Sequence, residues 1–345
     1  MKTIQNLVRE NIKSLKPYSS ARDEFKEFNE EMIFLDANEN PYENGLNRYP
    51  DPQQTTVKRE LSKLQNVNES QILLGNGSDE VLDLIFRVFC EPKVDNIITI
   101  PPTYGMYKVL ANINDVFEKE VYLNENFELD EVKILEAIDD NSKILFLCSP
   151  NNPTGNSFAI KTIELLLSSF EGVVVIDEAY IDFSKEKSWL NRLNEFPNLI
   201  ITQTLSKAFG MAGIRLGVCY ASEEIISLLN KVKPPYNVNE LTQQRALKRL
   251  QNLDEVSAEI KKILKARKRL IWRLKEISFV EKVFPSDANF VLVKVDDANL
   301  RYNQLLENGI VIRNRTKQPM CENTLRLTIG SKKEVKELIK VLKTL

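Results

Sequence analysis

The sequence predicts an α/β protein: a mainly parallel central sheet flanked by helices in a large domain, plus a smaller α+β domain. Three observations carry that expectation. Short apolar runs alternate with helix-period segments from about residue 54 to about residue 220. Two of the runs, Ile144-Leu145-Phe146-Leu147-Cys148 and Val173-Val174-Val175-Ile176, are apolar at every position, as strands covered on both faces are. Past residue 222 the texture changes to long charged helical patterns and then to shorter strands. A chain of 345 residues exceeds one ordinary core and suits one large and one small domain.

In chain order, residues 1 to about 30 read as an amphipathic helix, a break at Pro17-Tyr18 and a second charged helix. An extended stretch from Met32 to Asp36 leads into Ala37-Asn38-Glu39-Asn40-Pro41. From there to Asp51-Pro52 the chain is rich in Pro, Asn and Gly and reads as loop. An ordered loop of that length is usually functional, and it contains Tyr49. Strands are expected over 72–74, 97–100, 116–122, 144–148, 173–176, 199–202 and 216–220, with helices over 54–65, 79–90, 104–112, 130–138 and 159–169 between most of them. Helical patterns then run from 222 to 276, with Val256, Ile260, Ile263, Leu264, Leu270, Ile271 and Leu274 on the apolar face. Strands over 289–295, 310–313 and 325–329 and helices over 297–307 and 331–343 complete the chain. The expected division is an amino-terminal arm over 1–40 packing on the small domain and active site, a large domain over 41–235 and a small one over 236–345.

Composition excludes several function classes. A net charge of −2 gives no electrostatic ground for a nucleic acid or an anionic lipid surface as partner. The lysine pairs, such as Lys261-Lys262, are interleaved with glutamates and read as solvated helix faces. No apolar run approaches the roughly 20 residues of a membrane span, and charges interrupt the apolar positions of the first 15 residues, so a cytoplasmic protein is expected. The four cysteines, at 90, 148, 219 and 321, form no CxxC pair, which argues against a metal site and for core thiols. Histidine is absent. Within one chain that removes every Ser-His-Asp, Cys-His and histidine–metal mechanism, and leaves acid–base work to lysine, tyrosine, carboxylate or thiol.

Five clusters fall at expected carboxyl ends of strands, where open α/β sheets bind ligands. Gly75-Asn76-Gly77-Ser78-Asp79-Glu80 opens a helix with backbone amides available to an anion. Glu80 stands where the third glycine of a dinucleotide fingerprint belongs. Pro101-Pro102-Thr103-Tyr104 puts an aromatic where it can stack on a flat ring. Ser149-Pro150-Asn151-Asn152-Pro153-Thr154-Gly155 holds Asn152 on a stiff backbone. Asp177 ends the run VVVI, with Tyr180 three residues on; a carboxylate there needs a positive partner, and a pyridinium nitrogen is one. Taken singly, these read equally as a plain turn, a core tyrosine, a rigid loop and a helix cap or salt bridge.

The fifth cluster is Thr204-Leu205-Ser206-Lys207 through Arg215-Leu216-Gly217. It places a lysine at the end of a strand, beside two hydroxyls and an arginine. Burial there would depress the pKa of the amine, as attack on a carbonyl carbon requires, and the neighbouring donors suit a phosphate. On this segment alone a surface lysine is as good a reading; the Schiff-base alternative points to pyridoxal phosphate. Phosphate cradle, aromatic, amide, buried acid and lysine on successive strands are hard to explain as packing.

The set GNGSDE, PPTY, SPNNPTG, VVVIDEAY and TLSKAFGMAGIRLG resembles the fold-type-I pyridoxal-phosphate-dependent aminotransferases over nearly the whole chain. Within that family LDANENPY, RYPDP and KPYSSARDEF resemble the histidinol-phosphate group. The resemblance implies that Lys207 forms the Schiff base and shuttles the proton. It implies that Asp177 pairs with the pyridine nitrogen, that Asn152 and Tyr180 bond the phenolic oxygen, and that Tyr104 stacks on the ring. Gly77, Ser78, Asp79, Thr204, Ser206 and Arg215 would surround the cofactor phosphate, joined by Tyr49 from a neighbouring subunit, which makes a homodimer with shared sites. Tyr18, Asn38, Asn152, Arg313 and Arg326 would meet substrate, and no metal is implied. The implied reaction exchanges histidinol phosphate and 2-oxoglutarate for imidazole acetol phosphate and glutamate. An aromatic or broad-specificity aminotransferase, a phosphothreonine decarboxylase and a non-catalytic regulator are the competing expectations; the last lacks the basic DNA-binding segment it would need.

Overall fold

The structure, a computed structural model, describes residues 3–18 and 33–345. Seven strands build the larger sheet: β1 (Ile72–Asn76), β2 (Asn96–Thr99), β3 (Phe117–Glu120), β4 (Ser142–Cys148), β5 (Val173–Asp177), β6 (Leu199–Thr204) and β7 (Leu216–Ala221). Their spatial order is β1-β7-β6-β5-β4-β2-β3. β2 to β6 pair in parallel, while β7 runs antiparallel to both β1 and β6. The two-residue period of a strand divides the apolar side chains between two layers. On β4, Leu145 and Leu147 enter one core and Ile144, Phe146 and Cys148 the other; on β5, Val174 and Ile176 face the first and Val173 and Val175 the second. Helices therefore cover both faces, which is why these runs are apolar throughout.

Two short helices, α1 (Ile4–Leu7) and α2 (Glu10–Ser14), replace the single expected one. The break falls at Val8-Arg9, where the Arg9 amide donates to the Val88 carbonyl. Ile4, Leu7, Val8 and Ile12 pack in the core that also holds α4 (Ser78–Phe89) and α8 (Glu223–Val232). These residues of the expected arm thus lie on the large unit, not on the small domain; its second expected helix, up to about residue 30, lies mostly outside the described residues. α3 (Thr55–Gln65), α5 (Met106–Ile113), α6 (Glu131–Glu136) and α7 (Ile160–Ser169) fall within a few residues of expectation. The long pattern over 222–276 divides into α8, α9 (Glu240–Leu250) and α10 (Leu253–Leu274). Pro234-Pro235 stops the first, and the Asn239 side chain caps the second by accepting from the Thr242 amide.

The smaller sheet is antiparallel, in order β10-β11-β9-β8, from β8 (Val280–Val283), β9 (Phe290–Val295), β10 (Arg313–Asn314) and β11 (Thr324–Thr328). α11 (Ala298–Glu307) and α12 (Lys332–Leu342) accompany it. β8 was not expected, because Glu281 and Lys282 are adjacent and leave no alternation to see. Val291, Val293 and Val295 of β9 face the core of this unit. Phe290 packs instead with Tyr180, Phe183, Ala208 and Ala288, and Leu292 joins a core of the larger sheet.

One close backbone approach depends on glycine. A Cβ on Gly217 would lie 2.3 Å from the Ser78 amide nitrogen and 2.4 Å from the Gly77 carbonyl carbon. Both are backbone atoms and cannot swing aside, so Gly217→Ala is expected to destabilise the fold by about 1–3 kcal/mol, read as a lower urea midpoint at unchanged m-value.

Candidate active site

The topology gathers the site. Parallel strands present their carboxyl ends along one edge, and the antiparallel β7 brings its amino end, with Arg215 just before it, to that same edge. The pocket there is lined by Ser78, Asp79, Tyr104, Cys148, Asn152, Asp177, Ala179, Tyr180, Thr204, Ser206, Lys207 and Arg215. Ten of these twelve were read from the sequence as site residues; Cys148 and Ala179 were not.

At the floor, Asp177 is buried at the end of β5. Its Oδ2 accepts from the Tyr107 hydroxyl at 2.9 Å and its Oδ1 from the Ala179 amide at 3.1 Å. Burial nevertheless pushes its pKa up, and among the described residues no lysine or arginine forms an ion pair with it. Tyr107 was missed in the sequence. It is fully buried, stacked on Phe146 with ring centroids 4.6 Å apart, and lies one helical turn after Tyr104. That three-residue spacing was its only signal. Tyr104 is oriented through its hydroxyl, which donates to Asp79 Oδ1 at 3.0 Å.

Lys207 lies exposed in the turn past β6, not buried at the end of the strand as expected. The surrounding protein still lowers its pKa, by desolvation first and then by the Arg326 guanidinium; Asp177 acts in the opposite direction. Its Nζ stands 5.8 Å from the centre of the Tyr180 ring. The amine lines the pocket and is less basic than a free lysine, but the residue is exposed, not buried as the sequence reading expected.

On the opposite wall, α4 begins at Ser78 after Gly77, whose φ of 84° belongs to the left-handed region. Arg215, also left-handed at φ 54°, folds its side chain against Gly77, where a Cβ would lie 2.7 Å from one guanidinium nitrogen. The same guanidinium donates to Ser206 Oγ at 3.4 Å and to the Ala212 carbonyl at 3.2 Å, and stands 3.9 Å from Asp79. Thr204 Oγ1 accepts from the Ser206 amide at 3.1 Å, which fixes the turn. A helix amino terminus, two hydroxyls and a guanidinium thus face one small volume, the chemistry of a phosphate site.

Asn152 joins the two units. Its Nδ2 donates to the Tyr180 hydroxyl at 3.4 Å, and its Oδ1 accepts from the Arg326 guanidinium at 2.5 Å. Arg326, on β11, is directly opposite Arg313 on β10. Burial first, then Arg315 and more weakly Arg313, lower the Arg326 pKa to about 10 against an opposing effect of Tyr180. Arg315, two residues beyond Arg313, was not among the expected site residues. Tyr18, Asn38 and Tyr49 do not line the pocket: Tyr18 is 76 % exposed, Asn38 is exposed, and Tyr49 stacks on Tyr236 at 4.4 Å. Among the described residues no cluster of three or more cysteines and carboxylates is placed to hold a metal, and no helix is long and apolar enough to cross a membrane.

Comparison with known proteins gives the class. Residues 26–342 match the profile of aminotransferase class I and II, and the chain belongs to that family. The histidinol-phosphate aminotransferase of Flavobacterium johnsoniae is 66% identical over 343 residues, 99% of this chain and 98% of that protein. The crystal structure of the histidinol-phosphate aminotransferase from Clostridium acetobutylicum superposes with a TM-score of 0.81 at 28% identity, covering 87% of this chain and 90% of that one. The Sinorhizobium meliloti histidinol-phosphate aminotransferase in complex with pyridoxal-5'-phosphate shares the fold, with a TM-score of 0.80 at 22% identity over 86% of this chain and 82% of that one.

Tyr107→Phe keeps the ring and its stacking but removes the donor to Asp177. Losing that bond raises the carboxyl pKa further, so ionisation, and with it activity, requires a higher pH. The acidic limb of the kcat–pH profile is expected to move upward and kcat at neutral pH to fall about tenfold, with KM little changed; steady-state kinetics from pH 5 to 9 measure both.

Proposed function

We propose that this chain transfers the amino group of histidinol phosphate to 2-oxoglutarate, giving imidazole acetol phosphate and glutamate, with pyridoxal phosphate as cofactor. The observation that carries the reading is the pairing of a phosphate-type cradle and uncompensated buried carboxylate with a less basic lysine, in a chain 66% identical to a histidinol-phosphate aminotransferase. Aminotransferases of class I and II are pyridoxal-phosphate enzymes, and the residues present fit that group. Asp177 is a buried acceptor in want of a cation. Gly77 and Gly217 leave backbone where a side chain would block the cradle.

Ser78, Ser206 and Arg215 would hold the cofactor phosphate, with Gly77 and Thr204 shaping its seat and Asp79 orienting Tyr104 and Arg215. Asp177 would hold the ring nitrogen, Asn152 and Tyr180 the phenolic oxygen, and Tyr104 one ring face. When bound, the cofactor supplies an electron sink that lets the Cα proton of an amine leave. The work of this chain is then positional and acid–base. Asp177 keeps the ring nitrogen protonated. Lys207 Nζ would be the base that takes the Cα proton of the bound amine and then gives it up again, which needs an amine neutral near pH 7. Arg326, with Arg313, binds the substrate anion, and a bidentate fork suits both a phosphate and a glutamate carboxylate in turn.

The site is completed by a second copy. Tyr49 is half exposed outside the Lys207 pocket, and the reading assigns it to the phosphate cradle of the partner in a homodimer. Tyr18 and Asn38, also exposed, would meet substrate once the site is assembled. The arm over 1–40, the large domain over 41–235 and the small domain over 236–345 are the functional division we adopt, in a cytoplasmic enzyme. Assays of the purified protein with histidinol phosphate, phenylalanine and phosphothreonine as amine, each with 2-oxoglutarate, test it. Histidinol phosphate is expected to give the highest kcat/KM, and phenylalanine exceeding it, or carbon dioxide release from phosphothreonine, would overturn it. Lys207→Ala is expected to lose at least about 10⁴ of kcat while still retaining cofactor through its phosphate contacts, measured by absorbance after gel filtration.

A further inference from the structure

Resting on that reading of the substrate, we infer that Arg315 is a specificity-determining contact for the distal anion, one that makes the site prefer a doubly charged phosphomonoester to a single carboxylate. The placement is geometric. Arg313 and Arg326 are register partners on antiparallel β10 and β11, so their side chains share a face. The pairing continues to Arg315, whose amide donates to the Thr324 carbonyl at 2.9 Å. Arg315 is two residues beyond Arg313, and alternation along the strand returns it to that same face. Three guanidiniums are thereby brought together where like charges in opposition destabilise a sheet.

Asn152 accepts from Arg326, and Tyr180 is a weaker electrostatic offset to Arg315 and Arg326. Among the described residues no carboxylate forms an ion pair with Arg313, Arg315 or Arg326. Among the described residues the buried Nε atoms of Arg315 and Arg326 have no hydrogen-bond partner. Unpaired buried donors of this kind are costly unless a ligand meets them. Burial lowers the pKa of both Arg315 and Arg326, and Arg315 acts on Arg326 more strongly than Arg313 does. Tyr180, which lines the Lys207 pocket, is an acceptor-side neighbour to both arginines. Asn152 already takes one nitrogen of Arg326, which leaves the rest of that guanidinium and Arg315 to face an incoming anion. A carboxylate has two oxygens and one charge, and a single fork satisfies it. A phosphomonoester has three free oxygens and nearly two charges above its second pKa of about 6, and uses a second fork.

Arg315→Gln keeps size and hydrogen-bonding capacity without the charge, and Arg315→Lys keeps the charge without the fork. The test compares both with the wild-type holoenzyme. With histidinol phosphate as donor, Arg315→Gln is expected to raise KM about tenfold or more while kcat stays within about twofold. With glutamate as donor the KM changes less than about threefold. Wild-type KM for histidinol phosphate falls as pH rises through about 6, following the second ionisation of the phosphate, and Arg315→Gln flattens that dependence. Arg315→Lys restores part of the pH dependence. A second arm needs no turnover: propyl phosphate and propionate are titrated against the bound-cofactor absorbance. Arg315→Gln is expected to weaken propyl phosphate at least about tenfold and propionate little. Equal weakening of both anions, or of neither, overturns the inference. If the wild type fails to transaminate histidinol phosphate but propyl phosphate binding still depends on Arg315, the substrate assignment falls and the anion preference stands.

Discussion

A carboxylate and an amine share one pocket here without neutralising each other, and the rest of the site follows from that constraint. Asp177 and Lys207 lie at the ends of adjacent strands β5 and β6, close enough for Asp177 to raise the amine pKa, yet desolvation and Arg326 pull it down. Had the two formed an ion pair, the lysine would be a fixed cation and the acid would have no need of another partner. Tyr107 and the Ala179 amide hold the carboxylate in place at the floor, and the turn past β6 holds the amine at the mouth. The cost is a buried acid whose pKa is raised, a state several kcal/mol above that of a paired one. A cationic ring nitrogen relieves it.

The sheet topology makes this arrangement possible. Reversal of β7 carries Arg215 to the ligand edge, and Gly217 lets β7 pass against the Gly77-Ser78 turn. The cradle is thus built from backbone and one guanidinium, while the chemistry is borne by side chains on the central strands. The smaller sheet contributes from outside: Phe290 packs on Tyr180 at 5.1 Å, and Arg326 reaches Asn152. One asparagine thus bridges both units, and on the proposed reading substrate recognition and cofactor chemistry would meet there.

Much of this was legible in the sequence because the strands of the larger sheet are continuous apolar runs whose ends carry polar clusters. Asp177 was visible as a carboxylate closing VVVI, and Lys207 as an amine between hydroxyls. Tyr107 was not, since a tyrosine inside a helical pattern looks like core, and much of its body is core; only the hydroxyl reaches Asp177. Arg315 was hidden for the opposite reason: an arginine just past a short edge strand looks solvated until its amide bond to Thr324 of β11 is known. β8 carries two charged residues side by side and has no period to read. The first helix was expected to be one segment, and the tertiary bond from Arg9 to Val88 divides it. Tyr18, Asn38 and Tyr49 are placed by resemblance alone, because a single residue in a loop or exposed arm has no periodic pattern to read.

The amine on which the site depends is Lys207, of lowered basicity and lining the pocket; Lys58, lowered to about 8 by burial, lies outside it. Limiting pyridoxal phosphate added to cofactor-free protein, followed by borohydride and peptide mapping across pH 6 to 10, measures that dependence directly. The account predicts that the label concentrates on the peptide containing Lys207 and is half-maximal at a pH well below the ordinary lysine value of about 10.4. Label spread over surface lysines, or a Lys207 peptide that reacts only near that ordinary value, would contradict it.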